Sequence, residues 1–129
     1  MSVGLLIITH GDIGQSIYDA ATHVIDCCPV RTKVISLTAE DNRDILETEV
    51  SEAIIEMDHG QGVLVLTDMY GATPSNVACQ QTHAKVQIVA GLNLPMLLRV
   101  LNYPSLSLTE LMAKAVSGGK EGILHYETR

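Results

Sequence analysis

The stretch Val3-Gly4-Leu5-Leu6-Ile7-Ile8-Thr9-His10-Gly11-Asp12 decides the fold. An apolar run of this kind, with no polar alternation, is a strand buried on both faces. Residues 12–26 follow at once and carry Ile13, Ile17, Ala20, Ala21, Val24 and Ile25 at the spacing of one helix face. A buried strand that turns directly into a helix opens a parallel α/β sheet. His10 closes that strand, so its imidazole stands at the carboxyl edge of the sheet, where open α/β folds place their chemistry.

The same alternation continues along the chain. Lys33–Leu37 reads as a second strand and residues 41–57 as a helix with Ile45, Leu46, Val50, Ala53, Ile54 and Met57 on one stripe. Gly62–Thr67 is a third strand, and Thr73-Pro74 opens a helix with Thr73 as N-cap. Val86–Ala90 is a fourth strand, after which Asn93 caps a helix through about Leu101. Ser107 and Glu110 form a capping box for a last helix, expected to end at Gly118-Gly119. Gly122–Tyr126 is a short final strand. The expected architecture is a single three-layer αβα domain over residues 1–129. Its four-strand parallel sheet has order 2-1-3-4 and right-handed crossovers. The fifth, C-terminal strand belongs either to the same subunit or, exchanged, to a second one.

Composition narrows the function. The 129 residues are 47% hydrophobic, enough for an ordinary core, and 18% charged, which argues against disorder. A net charge of −7 with no run of Lys or Arg disfavours nucleic acid. The longest apolar stretch is too short to span a bilayer, and no basic region precedes it, so a cytoplasmic protein without membrane insertion is expected. Cys27, Cys28 and Cys79 lack the spacing of a disulfide framework or a zinc site. His23, His59, His83 and His125 have no metal-like spacing either, so no metal or cofactor is expected.

A second strand tip, Leu66-Thr67-Asp68, lies beside the first at the switch point of a 2-1-3-4 sheet. An imidazole attacks through one ring nitrogen when the other carries the proton, and a carboxylate accepting that N–H fixes the tautomer. Asp68 is placed to do this for His10. Met69 to Asn76 contains no charge, so a phosphoryl group there would be held by backbone N–H groups and the next helix N-terminus. Gly71 permits close backbone approach and the Thr73 hydroxyl can donate. Each residue also has an ordinary role open to it: His10 as a turn residue, Asp68 as a loop residue, Thr73 as a cap. A receiver domain would need an acidic cluster after strand one, and a flavodoxin a hydroxyl-rich loop; Thr9-His10-Gly11-Asp12-Ile13-Gly14 supplies neither.

Ile8-Thr9-His10-Gly11, Leu66 to Asn76 and Ala90-Gly91-Leu92-Asn93-Leu94-Pro95-Met96-Leu97 together resemble the IIA component of the mannose-class bacterial sugar phosphotransferase system. Gly118-Gly119-Lys120-Glu121-Gly122-Ile123 fits the same family, and the likeness covers nearly the whole chain. The resemblance implies that His10 is phosphorylated on Nε2 by the phosphocarrier protein HPr and passes the group to a IIB component during sugar uptake. It further implies that Asp68 hydrogen-bonds His10, that Gly71 and Thr73 lie at the phosphoryl group, and that a homodimer forms through a C-terminal strand. Ala72 and Ser75 stand where the family commonly has Gly and Phe. A stand-alone phosphocarrier is the expected function. The alternative is a regulatory protein whose His10 phosphorylation signals carbon or energy status without sugar transport.

Overall fold

The computed structural model describes residues 2–25, 30–38, 42–69 and 85–128. Their elements run β1 (Gly4–His10), α1 (Ile13–Ile25), β2 (Thr32–Leu37), α2 (Arg43–Met57), β3 (Val63–Thr67), β4 (Val86–Ala90), α3 (Leu94–Leu101) and α4 (Leu108–Glu121). The four strands form one parallel sheet in the order β2-β1-β3-β4. This is the expected α/β sheet, and its register sets β1 beside β3 from Gly4↔Val63 to Ile8↔Thr67.

The two central strands explain the layers. Leu5, Leu6, Ile7, Ile8, Leu64 and Leu66 are fully buried. Successive side chains alternate across the sheet. Leu5, Ile7, Leu64 and Leu66 pack with Ala21 of α1, Leu97 and Val100 of α3, and Leu111 and Ala115 of α4. Leu6, Ile8, Val63 and Val65 face the other way, onto Leu46, Val50, Ala53, Ile54 and Met57 of α2. Each such side chain stabilises the fold by about 1.5–3 kcal/mol relative to exposure. Gly4 lets β1 approach the C-terminal end of α2, since a Cβ there would collide with the Met57 carbonyl. Asn42 caps α2 by accepting from the N–H groups of Asp44 and Ile45.

Three expectations need correction. Ile13 and Val24 in the α1 stripe, and Ile45 in the α2 stripe, are exposed, because only part of each apolar stripe meets the sheet. Gly118-Gly119 does not end the last helix, which continues to Glu121 with Gly122 as its C-cap. These glycines instead form a contact face. A Cβ on Gly118 would lie 2.6 Å from Arg99 Cβ, one on Gly119 would lie 2.8 Å from Met96 Cε, and one on Gly122 would collide with Pro95. The glycines were read for their freedom at a helix end, while the fold uses their small size where α4 crosses α3. Finally, Gly122–Tyr126 forms no strand within the subunit. Beyond the Gly122 cap, residues 123–128 carry no regular structure, and Ile123, Leu124 and Tyr126 are exposed. The expected helix opening at Thr73, and Pro29, lie outside the described residues.

Gly118→Ala tests the close crossing. Alanine is the better helix former by about 1 kcal/mol in an open helix. Here the added methyl should instead destabilise the protein by about 1–3 kcal/mol, as overpacking does, measured by urea denaturation. A variant as stable as the parent would show that α3 and α4 do not meet this closely.

Candidate functional site

The parallel register brings the carboxyl ends of β1 and β3 to one edge. His10 is the last residue of β1, and Asp68 directly follows Thr67 at the end of β3. The structure brings the two together as the sequence led one to expect. His10 Nδ1 lies 2.9 Å from Asp68 Oδ2. The same oxygen accepts the His10 backbone N–H at 3.2 Å. The His10 side chain is half exposed and that of Asp68 is nearly buried, at 49% and 13% of their full accessibility. The imidazole is therefore open to solvent while the carboxylate beneath it is held in place.

Electrostatics fixes the protonation pattern. Burial pushes the Asp68 carboxyl up, but hydrogen bonds from the His10 ring and backbone N–H, together with the ring's charge, outweigh it and hold Asp68 below the usual carboxylate value. An ionised carboxylate only accepts hydrogen bonds. Nδ1 is then the nitrogen that donates to Asp68, and in the neutral form of the ring this leaves Nε2 unprotonated. Asp68 Oδ1 is buried and has no hydrogen-bond partner among the described residues.

The backbone around His10 is anchored on both sides. His10 pairs with Leu37 in the β1–β2 ladder, and the Gly11 N–H donates to the Leu37 carbonyl at 2.6 Å. Gly11 has φ +49°, so the chain turns sharply there toward α1. The first turn of α1 is capped from within the strand, as the Gly14 N–H donates to Thr9 Oγ1 at 2.7 Å. The end of β4 closes the edge, where the Leu92 N–H donates to the Thr67 carbonyl at 2.9 Å, next to Asp68. Asn93 caps α3 by accepting from the Met96 N–H, and its amide donates to the Gly119 carbonyl.

Gly71 and Thr73 lie outside the described residues, as do Cys27, Cys28, Cys79 and His83. Among the described residues no group of three or more His, Cys, Asp or Glu side chains could hold a metal ion. No described helix is long and apolar enough to cross a membrane. Two features were not read from the sequence: the second hydrogen bond from the His10 backbone to Asp68, and the Thr9 cap. The second had a signal. Thr9 alternates onto the face of Leu5 and Ile7, where a buried hydroxyl needs a partner, and Gly14 lies one helical turn beyond the strand end.

Known proteins share this fold. The mannose/sorbose-specific IIA subunit of the phosphotransferase system from Enterococcus faecalis superposes with a TM-score of 0.88 at 26% identity, covering 100% of this chain and 98% of that one. The IIA protein associated with the fucose utilization operon of Streptococcus pneumoniae gives a TM-score of 0.81 at 26% identity, covering 97% and 96%. In sequence, the mannose-specific EIIAB component of Escherichia coli strain K12 is 28% identical over 127 residues, or 95% of this chain. The chain spans only 39% of that relative's length. Residues 4–116 match the family model EIIA-man, described as the PTS system fructose IIA component. With a match over most of its length, the chain belongs to the EIIA-man family of phosphotransferase-system IIA components.

Proposed function

We propose that this chain is a phosphocarrier that takes a phosphoryl group from phospho-HPr onto His10 Nε2 and passes it to a IIB component during sugar uptake. The observation that carries the reading is the 2.9 Å contact between His10 Nδ1 and Asp68 Oδ2 beneath a half-exposed ring. With Nδ1–H donated to Asp68, the Nε2 lone pair attacks the phosphorus. A bond forms from Nε2 to phosphorus while the donor's nitrogen–phosphorus bond breaks, and the electron pair returns to the donor's imidazole. His10 becomes a cationic phosphoimidazole, and the Asp68 carboxylate stabilises that charge. In the reverse sense the same steps deliver the group to the next acceptor.

In this reading Gly71 gives the loop its close approach, and the Thr73 hydroxyl with nearby backbone N–H groups receives the phosphoryl oxygens. The reaction needs no metal or cofactor, and its setting is the cytoplasm. The protein works as a homodimer in which residues 122–126 pair with the sheet of the second subunit. Exposed Ile123, Leu124 and Tyr126 support this, as does the open edge of β4.

Incubation with phosphoenolpyruvate, enzyme I and HPr should add one phosphoryl group by intact mass, labile in acid and stable in alkali. His10→Ala should accept none, and phosphorylation of that variant would place the acceptor elsewhere.

Asp68→Asn should keep the fold and slow transfer by about 10²–10⁴-fold, read by quenched-flow phosphorylation. The same variant has a signature in acid. Asp68 is held below its ordinary value of 3.8, so its contribution to stability is full above that pH and is lost as pH falls from 3.8 through the lower folded-state value. Denaturation curves across that window should fall more steeply for the parent than for Asp68→Asn.

Truncation after Gly122 leaves α4 whole and should turn the dimer into a weaker dimer or a monomer by light scattering. An undiminished dimer would remove residues 123–129 from its cause.

A further inference from the structure

We propose that Thr9 is a positioning residue for His10, acting through the first turn of α1; this rests on His10 being the phosphoryl acceptor. Thr9 is fully buried, and its hydroxyl oxygen accepts the Gly14 N–H at 2.7 Å. Gly14 is itself buried, so no water can replace that acceptor. The N–H is one of the first-turn donors that an α-helix leaves unpaired. Here the cap comes from the strand before the turn. The approach is close enough to require glycine, because a Cβ on Gly14 would lie 2.8 Å from Ile7 Cγ2 and 2.9 Å from Thr9 Oγ1.

The geometric consequence falls on His10. The residues between Thr9 and Gly14 form an arch, and its ends are closed by this one hydrogen bond. Inside the arch the Gly11 N–H holds to Leu37 and the His10 N–H to Asp68. The half-exposed ring has Asp68 as its hydrogen-bond partner. Its orientation therefore follows the backbone of the arch. With the Thr9 hydroxyl gone, the first turn of α1 frays, the arch lengthens, and the Nδ1–H bond to Asp68 is no longer enforced. The two imidazole tautomers then mix, and the fraction with a free Nε2 falls. Thr9 touches neither the phosphoryl group nor the ring.

Thr9→Val keeps the shape and removes the acceptor; Thr9→Ser keeps the acceptor; Thr9→Ala is a smaller variant that introduces no clash. Nitrogen-15 spectra of labelled imidazole, assigned against His10→Ala, report the tautomer. Rates are measured with phospho-HPr and with phosphoramidate, a small phosphoryl donor. In folded Thr9→Val the Nδ1–H tautomer should lose population, and the rate constant at saturating donor should fall about tenfold or more, with KM for HPr unchanged. Thr9→Ser should restore both. A Thr9→Val protein with the parent tautomer overturns the proposal, and so does failure of both Thr9→Val and Thr9→Ala to fold, which would make the hydroxyl a requirement of the fold alone. Phosphorylation of His10→Ala would instead refute His10 as the phosphoryl acceptor, while the tautomer measurement still decides whether Thr9 positions the ring.

Discussion

The pairing of β1 with β3, buried on both faces, is the constraint from which the site follows. Ile8 lies opposite Thr67, so His10, two residues on, and Asp68, one residue on, are brought to the same edge. His10 and Asp68 meet there with no long loop to bring them together. A one-residue slip of register would flip Leu64 and Leu66 into the α2 layer and carry Asp68 to the wrong side of β1. The cost of mispacking four to six fully buried aliphatic side chains is therefore also what holds a 2.9 Å contact between imidazole and carboxylate. Catalytic precision here is inherited from core packing.

Where the sequence spoke clearly, the reason was burial. Leu5 to Ile8 and Val63 to Leu66 are continuous apolar runs because they face helices on both sides, which made them legible as buried strands; their order followed from the habit of open α/β folds. The His10–Asp68 pair was legible because both residues end such runs. Legibility failed where one residue type serves two physical ends. Gly118 and Gly119 were readable as a helix stop or as a contact face, and only the distance to Arg99 and Met96 separates the two. The exposed Ile13, Val24 and Ile45 were misread because helical periodicity gives a stripe wider than the sheet can cover. The Gly122–Tyr126 segment has the residues of a strand, but a strand needs a partner, and none pairs with it among the described residues.

The charges along this edge suit the proposed carrier role. Residues 3–12, 66–76 and 90–98 contain no Lys or Arg. In the proposed function a phosphoryl group on His10 meets no fixed cation from these stretches, and its hold is correspondingly weaker. The one charge the structure places against the ring is negative, and it acts on the far nitrogen. In the proposed function it stabilises the imidazolium while the group is attached and orients the neutral ring after the group has left. Both states are thus supported by the same carboxylate. The ring stands half exposed, so a donor and an acceptor can each reach Nε2 in turn. Tight clamping by fixed cations would lower the energy of the loaded state and slow its discharge, since binding that favours the ground state adds nothing to transfer. One carboxylate and one open imidazole, with no Lys or Arg in these stretches, suit the proposed transfer, in which a group is taken up and given away with little net change in free energy.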